Sequence, residues 1–175
     1  MTAKKQDHNP LNHGYMGEEY LKISDLKLPH ELCGVLEIIR VICAEYSSAT
    51  PDKLRVAGDV ADAWFGPTLG KVIFRSTARL LRALRQNRQS PFKFSNPACP
   101  VCRNYVTPHE QLLIKMVHSL MCDDVVKART AAIILSEGND EFDLIEAAKN
   151  LVPLCRTEKT TYEHVLDFYQ ARRLY

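Results

Sequence analysis

The stretch Thr107-Pro108-His109-Glu110-Gln111-Leu112-Leu113-Ile114-Lys115-Met116-Val117-His118-Ser119-Leu120 decides how the chain is read. A threonine, a first-turn proline and a glutamate at the third helical position make a capping box, which predicts a helix starting at Thr107. At about 100° per residue, Leu112, Leu113, Met116, Val117 and Leu120 fall on one side of that helix. The core therefore lies on that side. Upstream, Gln89 to Ala98 carries two prolines and reads as a loop or extended linker. Before it, a helix from Thr68 or Lys71 to Arg88 follows a break at Gly66, Pro67 and Gly70, and another runs from the Thr50-Pro51 cap to Phe65. Pro29 opens a first helix through Cys33, Val35, Leu36, Ile38, Ile39, Ile42 and Cys43, ended by Ser47 and Ser48. Downstream, helices are expected over about 123–136, over about 140–151 with a stop at Pro153, and from Thr161 onward. Strand alternation is weak and confined to Phe92–Phe94 and Val101–Val106.

The expected fold class is thus all-α, a multi-helix globular protein, in three segments: 1–20 as a flexible tail, 21–96 as a helical unit, and 97–175 as a second helical unit. Composition agrees. With 175 residues, 46% hydrophobic and 25% charged, the chain can bury a core, and disorder throughout is excluded. No apolar run nears the roughly 18–20 residues that cross a bilayer, so a soluble cytoplasmic protein without a membrane partner is expected. Six cysteines are too few for a disulfide scaffold, and their spacing becomes the clue.

Net charge is only +2, but its distribution is uneven. From Ala63 through His109, 47 residues contain no Asp or Glu, while Lys71, Arg75, Arg79, Arg82, Arg85, Arg88, Lys93 and Arg103 supply eight cations. Arg75, Arg79 and Arg82 share one side of the predicted helix, opposite Ile73, Phe74, Leu80, Leu81 and Leu84. No acid lies three or four residues from any arginine within that helix, so intrahelical pairs cannot neutralise the stripe. Phe92, Phe94 and Tyr105 add aromatics among the basic residues, a combination suited to nucleic acid, DNA ahead of RNA. The competing reading pairs the stripe with acids, either in the 137–146 segment or on a partner protein. A helix-turn-helix over Pro51 to Arg88 is a weaker fit, because an arginine stripe suits phosphates better than base edges.

Cys99, Cys102, His118 and Cys122 have a spacing that resembles the C2HC pattern of small zinc-binding modules. Two cysteines three apart can wrap an ion from a tight turn, and a His and Cys four apart leave a helix on the same side. His118 and Cys122 also fall away from the leucine face, which argues against simple core packing. Four protein ligands leave no open position, so the zinc would be structural. Packing or a redox role for the thiols is the alternative, with His109, Cys155 and His164 as substitute ligands.

No nucleophile elbow, P-loop, dinucleotide fingerprint or HExxH is present, and the acid pairs Asp59/Asp62 and Asp123/Asp124 have spacings common on exposed helices. A non-enzymatic role is expected: a zinc-stabilised, DNA-binding transcriptional regulator contacting phosphates through the basic helix 71–88, with homo-oligomers allowed. A zinc-stabilised adaptor for an acidic protein such as RNA polymerase is the runner-up. A thiol or metal sensor using Cys33, Cys43 or Cys155 is the third reading.

Overall fold

The structure, a computed structural model, describes residues 20–47 and 54–156. The expected tail, the Thr50-Pro51 cap and the helix from Thr161 lie outside the described residues. Among the described residues five helices carry the fold: α1 (His30–Ser47), α2 (Arg55–Gln86), α3 (Pro108–Met121), α4 (Val125–Leu135) and α5 (Phe142–Cys155). A two-residue ribbon joins β1 (Leu21–Lys22) to β2 (Tyr105–Val106) antiparallel, with Leu21 opposite Val106. The fold is mostly helical.

α1 is the central element. Leu32, Val35, Leu36, Ile38, Ile39 and Ile42 are all essentially inaccessible, more than one face of a surface helix would bury. α2 packs on α1 and on α5, and α3 packs on α4 and α5. Buried side chains from all five helices form one continuous apolar cluster.

Two glycines shape α2. Gly66 has φ 76° and ψ 163°, a conformation essentially reserved for glycine, and Pro67 then starts the second half, where a missing N–H costs nothing. At Gly70 a Cβ would stand 2.6 Å from the Ala61 carbonyl oxygen, so the second half turns back against the first. The expected break is therefore a sharp corner inside one element, with a single non-helical residue in place of a loop.

The Thr107 cap forms as read: its hydroxyl accepts from the Glu110 N–H at 3.2 Å, and Glu110 Oε2 accepts from the Thr107 N–H at 2.8 Å. Pro153 does not stop α5, which continues to Cys155. In the last turn the proline removes only one backbone hydrogen bond, to Lys149, an exposed residue whose carbonyl water can serve.

The α1–α3 contact holds a pairing between residues far apart in sequence. Arg40 and Glu110, 70 residues apart, are both fully buried and joined by an Arg40 Nε to Glu110 Oε1 bond of 2.7 Å. Arg40 Nη1 donates to the Arg103 carbonyl at 2.8 Å and Nη2 to the Tyr105 carbonyl at 2.6 Å. Glu110 Oε1 also accepts from the Ser95 N–H at 3.2 Å. One guanidinium and one carboxylate thus pin both ends of the 95–105 loop to α1 and to the start of α3.

Candidate functional site

Downstream of the Gly66 corner, α2 buries Ile73, Thr77, Leu80, Leu81 and Leu84. The register that buries these side chains turns Lys71, Arg75, Arg79, Arg82 and Arg85 to solvent. Among the described residues none of these five makes an ion pair. The acidic 137–146 segment is occupied elsewhere: Glu137 pairs with Arg88 at 3.1 Å, Glu141 with Arg129 at 2.7 Å and Glu146 with Lys149 at 2.8 Å. Asp143 lines a groove of about 250 Å³ beside Arg79 and Arg82 without bonding to either.

Arg88 differs from the other arginines. Its side chain is 4% exposed, donating from Nη1 to the Leu135 carbonyl at 2.5 Å and from Nη2 to Ser90 Oγ at 2.8 Å. It is spent on tying the 89–94 linker to the α4–α5 turn, and phosphate has no access to it. Glu137 completes that tie by accepting from the Ser90 hydroxyl and, at 2.9 Å, from the Gln89 N–H. Those bonds, with the Arg88 charge, hold its carboxyl down at about 2. Further along, the Lys93 N–H donates to His109 Nδ1 at 2.9 Å, and the Lys93 carbonyl accepts from the Thr107 hydroxyl at 2.8 Å. The Lys93 ammonium group belongs to an exposed residue; Arg103 is half-buried, its carbonyl bound by Arg40. Burial and the neighbouring Arg88 and Lys93 charges lower the His109 pKa, which favours the neutral ring that this hydrogen bond requires.

The linker so held forms part of the wall of a larger groove of about 700 Å³. Tyr46 from the last turn of α1, Arg79, Arg82 and Arg85 from α2, and Phe92 and Phe94 from the linker line it. Among the described residues no Asp or Glu lines it. Tyr46 is half exposed, and Phe92 rests against the His109 ring with centroids 5.7 Å apart.

The structure does not bring the four expected zinc ligands to one point. They form two separate pairs, and among the described residues no group of three or more His, Cys, Asp or Glu could hold an ion. Cys99 and Cys102 sit in a tight turn in which the Cys102 N–H points at Cys99 Sγ, 3.3 Å away. Burial opposes ionisation of Cys99, but the Cys102 thiol and the Cys102 and Val101 N–H groups outweigh it and lower its pKa. Burial and the bond to Cys99 push Cys102 up to about 11. His118 and Cys122 are exposed on the far side of α3, with Nε2 and Sγ 3.8 Å apart. The separation has a simple cause. His118 lies eleven residues beyond the Thr107 cap, about 16 Å along a helix rising 1.5 Å per residue, while Arg40 and Glu110 hold the loop at the helix start. Among the proposed substitutes, His109 is committed to Lys93, Cys155 is buried in the core, and His164 lies outside the described residues.

Burial pushes the Cys43 and Cys155 thiols up to about 12 and also raises Cys33, which makes them poor nucleophiles for a sensor. No helix among the described residues is long and apolar enough to cross a membrane. No protein-family model, curated protein or solved structure matches the chain.

Proposed function

We propose that this chain is a nucleic-acid-binding protein, acting as a DNA-binding regulator of transcription, that grips phosphates through the exposed face of α2. The observation that carries the reading is the row Lys71, Arg75, Arg79, Arg82 and Arg85: five cations on one helix with no carboxylate partner among the described residues. The leucine face fixes that helix, so a bound polyanion meets a surface already in place. Cations arranged this way grip a phosphate backbone more readily than they read base edges.

Binding should be dominated by counterion release. With about five phosphates neutralised, affinity for a duplex falls about 500-fold between 50 and 200 mM salt. Fluorescence anisotropy with a labelled 20-base-pair duplex reads that slope. The double substitution Arg79→Glu and Arg82→Glu should remove binding and leave the circular dichroism spectrum unchanged. Undiminished affinity in that variant refutes the proposal, as does a salt-independent wild type.

Zinc enters this proposal through the Cys99–Cys102 turn alone, whose two sulfurs are half of a structural donor set. Metal analysis of the purified chain tests it. One zinc per chain, lost in Cys102→Ser and kept in His118→Ala, supports the turn as the ligand pair; metal-free wild type removes zinc from the reading.

A further inference from the structure

We infer that the groove between the end of α1, the arginine face of α2 and the linker receives an unpaired base, so that the protein prefers single-stranded to duplex nucleic acid. The inference rests on the phosphate reading above and names the form of polymer that fits.

A row of cations alone does not distinguish strand from duplex, but the groove beside it adds a second chemistry. Arg79, Arg82 and Arg85 belong both to the exposed row and to the groove lining, so a backbone held by the row runs along its edge. Beside these guanidinium groups stand Tyr46, Phe92 and Phe94, aromatic faces on which a base can stack. A base inside a duplex shows only its edge, because both faces are covered by neighbours; an unpaired base offers a face. The groove volume of about 700 Å³ lies within the range that takes a drug-sized planar group. Among the described residues the lining holds no carboxylate to repel the phosphates that accompany the base. Acidic side chains alone would satisfy the arginines but leave the three aromatic side chains unmatched, whereas a nucleotide carries phosphate and planar ring together.

The linker aromatics are also held in position before any ligand arrives. The Arg88, Ser90 and Glu137 bonds fix the linker at one end, and the Lys93 bonds to His109 and Thr107 fix it between Phe92 and Phe94. Phe92 uses one surface against His109, which leaves Tyr46 and Phe94 as the side chains to test.

The experiment compares, with the full chain at one salt concentration, a labelled 12-nucleotide thymidine strand and a duplex of equal length. It also follows the emission of a strand carrying 2-aminopurine. The strand should bind at least about 5-fold more tightly than the duplex, with 2-aminopurine emission falling on binding. Tyr46→Ala and Phe94→Ala should each weaken strand binding by about 5- to 150-fold, the range for losing one stacked base. Duplex affinity should stay as it was. The 2-aminopurine measurement uses the wild type and so stands even if Phe94→Ala does not fold. Equal affinity for strand and duplex with constant 2-aminopurine emission overturns this inference while leaving the phosphate reading intact. Failure to bind either polymer overturns both.

Discussion

Replacing Glu110 by Gln tests whether the Arg40–Glu110 pair organises the molecule. Both side chains are fully buried. In the wild type Oε1 accepts from Arg40 Nε and the Ser95 N–H, and Oε2 accepts from the Thr107 N–H and, at 3.3 Å, from Arg40 Nη2. Glutamine can keep one of these oxygens as an acceptor. Its amide nitrogen then faces two donors, from Thr107 and Arg40, with no acceptor between them, and Arg40 keeps only the longer contact to Glu37, at 3.7 Å, in a site that water does not reach. Breaking one partner of a buried pair costs about 3–5 kcal/mol, against a total stability of about 5–15 kcal/mol for a domain. At about 2–4 °C per kcal/mol for a chain of this size, the midpoint of thermal unfolding should fall by about 6–20 °C. Urea unfolding followed by circular dichroism measures the change directly. Arg40→Met should cost a similar amount, since it strands the carboxylate, frees the Arg103 carbonyl and leaves the Tyr105 carbonyl with the Ser95 hydroxyl alone. A loss below about 1 kcal/mol in both variants would mean that solvent reaches the pair, and the reasoning would fail.

Three further outcomes follow from local geometry. Gly70→Ala should destabilise by about 1–3 kcal/mol, because the new methyl meets the Ala61 carbonyl and that backbone cannot give way; Gly58→Ala, with open space around its Cβ, should stabilise by about 0.4–1 kcal/mol in the same denaturation assay. Thr107→Ala should cost about 1–2 kcal/mol through the lost cap, with Thr107→Ser restoring most of it; equal stability of the two variants would contradict the cap geometry. The linker should loosen in two steps on acidification, read by amide exchange corrected for intrinsic rates. His109 is held below its ordinary value of 6.5, so its contribution is complete above that pH and the Lys93 amide loses protection as pH falls below it. Glu137 is held at about 2, so its contribution is complete above 4.5 and the Gln89 and Ser90 amides lose protection only between there and about 2. Simultaneous loss at all three amides near pH 6 would show that the two ties are not independent.

The parts of the fold legible in the sequence are those whose signal is local. The Thr107 capping box and the Gly66-Pro67 break each depend on neighbouring residues, and both occur where expected. The alternation of leucine and arginine along α2 likewise places five cations at the surface. What escaped is long-range. An arginine set between Ile38, Ile39, Val41 and Ile42 announces that a buried charge needs a partner, but not that the partner is Glu110, whose carboxylate already had a local explanation as a capping residue. The cysteine spacing leaves the three-dimensional arrangement open for the opposite reason. Residue intervals typical of a metal module say nothing about where the loop is anchored, and here the anchor holds Cys99 and Cys102 at the beginning of a straight helix whose later turns carry His118 and Cys122 away. Arg88 was indistinguishable from its neighbours because the acid that claims it, Glu137, is distant in sequence.

The sharing of one carboxylate between a helix cap and a buried ion pair has a consequence for how the molecule assembles. The first turn of α3 closes its cap locally, but its carboxylate meets the guanidinium it is buried with only when α1 arrives, and Arg40 gains that closest counter-charge only when the turn is ready. Each half of the chain therefore waits on the other, and folding should approach all-or-none behaviour instead of proceeding one segment at a time. A truncation that removes α1 would leave α3 with an orphaned acid at its head, and a truncation that removes α3 would leave Arg40 with Glu37, on its own helix, as its remaining counter-charge.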